Sequence, residues 1–258
     1  MKKFTLIALC VASGMAATAQ VGLRAGAHFG FNDVFIQNQN SYGFSEMDYV
    51  NKFGIYPGVD IAYNFDGMNG VQVEINFATM GQDYYDRNRD FSFGADEDTR
   101  PKVDTYRNID LRYLHIPVMY RFQTEKKKKT KAVFHAMAGP TFGFLMSADM
   151  TYEADVQNNG QIEEVSLAIV EGAIPDFAAT DAVEEPVEYF RSMDLGLQFA
   201  VGADVYASKV IYFTPQMRAY YGFSDINSLP TRDLYTDFGP SKNVFVGICV
   251  GVHYLVQN

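Results

Sequence analysis

Asn243-Val244-Phe245-Val246-Gly247-Ile248-Cys249-Val250-Gly251-Val252-His253-Tyr254-Leu255-Val256-Gln257 alternates with a period of two. The even positions from Val244 to Val256 are all apolar. The odd positions are mixed, small or polar, with Asn243, Gly247, Cys249, Gly251 and His253 among them. Only an extended chain places i, i+2 and i+4 side by side, so the segment reads as a strand with two unlike faces. Ser192 to Tyr206 repeats the pattern: Met193, Leu195, Leu197, Phe199, Val201, Ala203 and Val205 oppose Asp194, Gly196, Gln198, Ala200, Gly202 and Asp204. Phe53 to Phe65 does so too, with Ile55, Val59, Ile61 and Tyr63 against Gly54, Gly58, Asp60 and Asn64.

Eight segments carry this alternation, at about 21–31, 53–65, 70–81, 106–122, 131–146, 191–206, 210–223 and 243–256. One breaks phase: Ile109, Leu111 and Tyr113 are odd, whereas Leu114, Ile116, Val118 and Tyr120 are even. A β-bulge at Tyr113-Leu114 would restore one continuous face. Pro57, Pro117, Pro140 and Pro215 fall inside strands, where bulges or strand ends are expected. The connections alternate in length. Long loops at 32–52, 82–105, 147–190 and 224–242 lie on one side, and short turns at 66–69, 124–130 and 207–209 on the other. That is the plan of an up-and-down antiparallel barrel.

Three features turn the apolar face outward, toward lipid. The polar face is rich in glycine, as the narrow interior of an eight-stranded barrel requires. Its charges balance, with Arg24, Arg112, Arg121 and Arg218 against Asp60, Glu74, Asp110, Asp194 and Asp204. An unpaired charge in such a space costs several kcal/mol. Aromatics gather at both ends of the apolar face: Tyr63, Phe65 and Phe122 at the turns, Phe31, Phe53, Tyr221 and Phe223 at the loops. The fold expected is an eight-stranded transmembrane β-barrel with long extracellular loops, with outer-membrane lipid as its surroundings and both mature termini in the periplasm.

The chain opens Met1-Lys2-Lys3, followed by an apolar run to Ala17 and the small-residue pattern Ala17-Thr18-Ala19. This is a signal peptide over residues 1–19, cleaved between Ala19 and Gln20, with 20–258 as the barrel domain. The 258 residues carry Lys+Arg 21 against Asp+Glu 31, a net charge of −10. Loss of Lys2 and Lys3 takes −10 to −12, which argues against nucleic acid as a partner. Cys10 leaves with the signal. Cys249 remains alone, so the mature chain closes no internal disulfide.

Laid out in this way, the chain resembles the PorT-like family of small outer-membrane barrels. The resemblance rests on Val21-Gly22-Leu23-Arg24-Ala25-Gly26, Tyr113-Leu114-His115-Ile116-Pro117, Ala138-Gly139-Pro140, Asp194-Leu195-Gly196-Leu197 and the glycine-spaced last strand. His115 stands where the family usually shows an acid, and the chain ends without the terminal aromatic common in such barrels. The resemblance implies eight strands and a tie to secretion across the outer membrane.

Chemistry is sparse. His28, His115, His135 and His253 face inward at different heights and read as separate members of a hydrogen-bond network, not as a metal site. No serine lies near His28 to build a hydrolytic triad, and no glycine-rich loop opens a helix to hold phosphate. Neither catalysis nor a cofactor is called for. The loop 147–190 holds eleven acids and no Lys or Arg. It offers itself to envelope or secretion proteins, and a short helix is expected at Ile162 to Gly172. The Lys126–Lys129 run marks a turn on the other side. An interior network of Arg24, Asp60, Glu74, Asp194, Gln198, Asp204 and Arg218 is expected to fill the lumen. At the 207–209 turn, Tyr212 is expected opposite Asp204 and Arg218 opposite Gln198, with Arg218 reaching Asp194. The function expected is a non-enzymatic barrel that displays its loops. The alternative is a small passive porin-like channel.

Overall fold

Alternating sequence becomes ten strands: β1 (Gly22–Gln37), β2 (Asp48–Val50), β3 (Lys52–Asn64), β4 (Asn69–Arg89), β5 (Lys102–Gln123), β6 (Ala132–Asn158), β7 (Gln161–Ala168), β8 (Met193–Tyr206), β9 (Ile211–Gly222) and β10 (Lys242–Leu255). The computed structural model describes residues 22–38, 47–89, 102–125, 131–158, 161–168, 189–229 and 239–256. The signal segment with Ala19 and Gln20, and the Lys126–Lys129 run, lie outside them. Eight strands form a closed antiparallel ring in the order β4-β3-β1-β10-β9-β8-β6-β5, with β5 returning to β4. β2 and β7 are added on the loop side, against β4 and β6. The acidic segment is therefore not all loop: β6 runs on to Asn158, and β7 is a strand where a helix was expected.

Outward positions form a lipid-facing belt. Phe29, Val59, Ile61, Ile75, Val118, Phe199, Val201, Met217, Ile248, Val250 and Val252 are all exposed. Exposed apolar surface this extensive belongs against hydrocarbon, not water.

The expected bulge at Tyr113-Leu114 is absent from β5. Its odd positions stay buried from Thr105 to Gln123, so Ile109, Leu111 and Tyr113 point inward and Leu114 and Ile116 outward. The reason is a change of surroundings. Beyond the belt the outer face meets water and the interior is dry, so the same alternation reverses its meaning. Asp110 and Arg112 consequently lie on the outer face, not in the lumen. The one irregularity in this region sits on β6, where Arg112 pairs Ser147 and Tyr113 pairs Leu145, leaving Met146 as the extra residue. The prolines cause no bulge. The β4–β5 ladder passes from Val73↔Val118 to Asn76↔His115 in constant register, skipping bonds near Pro117. The β8–β9 ladder does the same past Pro215, from Gly202↔Gln216 to Val205↔Phe213.

The turns set register. In the β8–β9 hairpin Ala207 N donates to Ile211 O at 3.0 Å, which leaves three residues, Ser208 to Val210, between the closing pair. The odd length keeps inward residues paired with inward ones, but the register differs by two from expectation. Tyr212 faces Tyr206, and Arg218 faces Ala200. In the β3–β4 turn, Asp66 Oδ1 accepts from Met68 N at 2.7 Å and Asn69 N at 2.6 Å. The Asn69 side-chain amide, with these backbone donors, holds the exposed Asp66 carboxyl below the usual carboxylate range. Its contribution is therefore present above the unfolded pKa and lost as pH falls through the folded one. In an NMR acid titration, the Met68 and Asn69 amide shifts should move only below the ordinary carboxylate range. Asp66→Asn should abolish that step.

Candidate functional site

Inward positions of the lower strands carry the polar residues, and they converge on three buried carboxylates. Asp204 on β8 takes Arg121 Nη2 at 2.5 Å, Arg24 Nη1 at 3.4 Å and the Thr214 hydroxyl at 3.2 Å, with His135 Nδ1 3.4 Å away but not hydrogen-bonded to it. Arg24 also donates to Asn64 Oδ1 at 2.9 Å. Asp60 on β3 holds two imidazoles through Oδ2, His28 Nδ1 at 3.2 Å and His253 Nε2 at 3.0 Å. Glu74 on β4 accepts a two-pronged bond from Arg218 across the lumen, at 2.6 and 2.9 Å. Gln72 and Asn76, one inward position either side, donate to the same carboxylate at 2.7 and 2.9 Å. With its amide oxygen turned inward, Gln216 accepts from Arg218 Nη2 at 2.7 Å. Such planar, doubly hydrogen-bonded pairs satisfy charges that could not remain buried alone.

Higher up, the lumen becomes apolar. Val34, Ile36, Ala78, Met80, Ile109, Leu111, Tyr113, Tyr220 and Phe245 pack in one cluster with Tyr56. Tyr56 joins the storeys, accepting from Asn76 at 3.0 Å and donating to Gln198 at 2.9 Å while its ring packs on Phe245 at 5.1 Å. Above the cluster, loop residues complete the cover. Met47, Phe190 and Ile226 are buried in it. Arg191 N donates to Ile226 O and Ser228 N to Tyr189 O, both at 2.7 Å. The lumen is therefore filled twice, by charge pairs below and by a packed core above.

Arg24, Asp60, Glu74, Asp194, Gln198, Asp204 and Arg218 are all buried in the interior. Their pairing differs from expectation in one respect. Arg218 reaches Glu74, whereas Asp194 accepts from Asn243 at 2.9 Å. The two-residue change of register sets Arg218 one inward position below Gln198, at the level of Ala200, where it meets the acid of β4 across the lumen. His28 and His253 are not separate members, since both lie on Asp60. His115 stands apart, fully buried against the rings of Tyr56, Tyr113 and Tyr220. Cys249 is a buried free thiol.

A hydroxyl–imidazole–carboxylate chain does exist, formed by threonine instead of serine. Thr214 Oγ1 lies 2.9 Å from His253 Nδ1, whose Nε2 meets Asp60. All three residues are buried, and the hydroxyl also donates to Asp204. A nucleophile needs a reacting atom within about 3 Å and an open approach. Thr214 is buried, and its hydroxyl proton is already given to Asp204 instead of His253. Among the described residues, no group of three His, Cys, Asp or Glu could hold a metal ion.

The sequence matches the family model described as the outer membrane protein beta-barrel domain over residues 16–228. The chain belongs to this family. Solved outer-membrane proteins are among the structures similar to this chain. OprG from Pseudomonas aeruginosa aligns at 12% identity and a TM-score of 0.47, covering 93% of this chain and 98% of that one. Neisserial surface protein A aligns at 9% and 0.41, covering 92% and 99%. The outer membrane protease OmpT from Escherichia coli aligns at 8% and 0.33, covering 94% and 99%. At these identities and TM-scores nothing is read across from them. No curated protein sequence gives a significant match. The location of this outer-membrane barrel follows from its family.

Proposed function

We propose that this outer-membrane barrel is a non-enzymatic, non-conducting component of the cell envelope. It holds long acidic surface loops above the membrane for an envelope or secretion partner, as the PorT-like resemblance implies. Residues 1–19 serve as the export signal, cleaved between Ala19 and Gln20, and both mature termini lie on the periplasmic side. The observation that carries this reading is the doubly filled lumen. A solute would have to break the Arg218–Glu74 and Arg121–Asp204 pairs and then part the packed Tyr56–Phe245–Tyr220 layer. Small barrels whose interiors are occupied by side chains leave no aqueous path.

Single-channel recording tests this directly. The mature barrel is refolded, its folding is verified by heat-dependent gel mobility, and it is inserted into a planar bilayer. The expected result is a folded protein with no discrete conductance. Reproducible unitary openings would overturn the filled-lumen reading and put the passive channel in its place.

A further inference from the structure

Just beyond the apolar belt, the outer face of β4, β5 and β6 forms a concavity of about 730 Å³, within the range of small-molecule sites. The ladder register builds it in rows. Asp83 of β4 pairs Asn108 of β5, which pairs Thr151 of β6. Tyr85 pairs Tyr106, which pairs Glu153. Asp110 pairs Asp149. Cross-strand partners share a face, so these side chains line one outward surface. The rings of Tyr85 and Tyr106 lie 5.1 Å apart and make a wall.

One cation already occupies part of this surface, and it comes from the protein. Lys52 starts at an inward position of β3, yet its Nζ lies 2.6 Å from Asp83 and 2.9 Å from Asp110. It crosses where β3 and β4 are unpaired, above Gly58↔Asn76 and below Val50↔Asp83. Gly81, at φ 141°, leaves it room, because a Cβ there would stand 3.2 Å from Lys52 Cε and collide with the Ile109 carbonyl oxygen. Asn108 donates to Asp83 as well, at 2.6 Å. Two of the four carboxylates are thereby compensated. Asp149 and Glu153 have no ion-pair or hydrogen-bond partner among the described residues. They point the same way on β6 with Thr151 between them, about 13 Å apart at ordinary strand rise.

We propose that this cleft binds a small linear polyamine. Its two ends meet Asp149 and Glu153, and its methylene chain lies against Tyr106. The surface shows its preference in the way it takes Lys52, an alkyl ammonium held between two carboxylates. An anionic ligand would meet the two uncompensated acids, Asp149 and Glu153. A bare divalent ion would need three carboxylates to converge, and among the described residues none do.

Isothermal titration of spermidine into the refolded full-length barrel at low ionic strength tests the proposal. One saturable site per barrel is expected. Affinity should fall by about tenfold or more, at least 1.4 kcal/mol, in Asp149→Asn/Glu153→Gln. It should fall several-fold in Tyr106→Ala and stay unchanged in Asp33→Asn, an outward acid on β1. Gel mobility of each variant confirms that it is folded. Absence of saturable heat would overturn the proposal, as would equal loss in Asp33→Asn. So would competition by magnesium as strong as that by spermidine at matched ionic strength, which would mean screening of a diffuse acidic surface.

Discussion

Replacing Arg218 with methionine is expected to lower the unfolding free energy of the refolded barrel by about 3–5 kcal/mol. The guanidinium and Glu74 are both fully buried, and their two bonds at 2.6 and 2.9 Å span opposite walls of the barrel. Removing the cation leaves Glu74 with the amides of Gln72 and Asn76 as donors and His28 Nε2 at 3.6 Å, and a buried charge without its guanidinium counterion is costly. Glu74→Met in the same background should recover more than half of the loss, since both charges are then gone. It should not recover all of it, because the amides of Gln72 and Asn76 lose their acceptor. Urea titration of wild type, both single variants and the double variant in one detergent closes the cycle. A loss below about 1 kcal/mol in Arg218→Met would show that the lower storey does not brace the barrel.

Eight ring strands, their antiparallel order and the alternation of turns and loops were legible because two-residue periodicity is a direct print of the extended chain. Inward charge was legible where the belt is thick. Arg24, Asp60, Glu74, Asp204 and Arg218 sit between apolar neighbours that face lipid, so their phase is unambiguous. Legibility failed where lipid ends. Ile109-Asp110-Leu111-Arg112-Tyr113 alternates as cleanly as any belt segment, but with apolar residues inside and charges outside. Equating apolar with outward forces an imaginary bulge at Tyr113-Leu114 and puts Asp110 and Arg112 in the lumen. Strand length already implied that the barrel projects beyond the membrane on the loop side; the consequence for the phase of β5, apolar inside and charged outside above the belt, was missed. A signal for it existed in β4, where inward Gln72, Glu74 and Asn76 give way to Ala78 and Met80 with no phase change.

Pairing across the lumen was less legible than facing. Hairpin parity followed from the Ser208 turn, yet parity permits registers that differ by two. The partner of Arg218 changes with that choice. The meeting of His28 and His253 on Asp60 depends on three strands at once. It follows only when Gly26↔His253 and Gly26↔Asp60 are both known. The Thr214–His253–Asp60 chain was missed for a chemical reason as well, because the search for a nucleophile considered serine near the loops and not threonine in the lumen.

The reversal of faces makes its own prediction about where charge is tolerated. Val250 sits mid-belt on β10, exposed, beside Phe29 of β1. Val250→Arg should destabilise the barrel by about 2–4 kcal/mol in lipid vesicles, because the guanidinium must enter hydrocarbon or draw water in after it. Asp33→Arg should cost no more than about 1 kcal/mol. Asp33 faces outward from the same strand as Phe29, four residues nearer the loops and about 13 Å away along the strand. It pairs with Val246, and the exposed Arg112 on β5 already places a cation on the outer face beyond the belt. The two substitutions introduce the same side chain on the same face of the same sheet, so their difference isolates depth. If both cost the same, the outer surface has a single environment from Tyr254 to Phe35, and the inversion at Tyr113 would need another cause. If only Val250→Arg is costly, the belt ends between Phe29 and Asp33, and the apolar storey inside the barrel stands in water on its outer side. A packed core with a wetted exterior is stable without lipid. The loop-side half should therefore stay folded in the Val250→Arg protein after the belt has loosened. Hydrogen exchange at Ile109 and Leu111, compared with Val201 and Val250, would read that order.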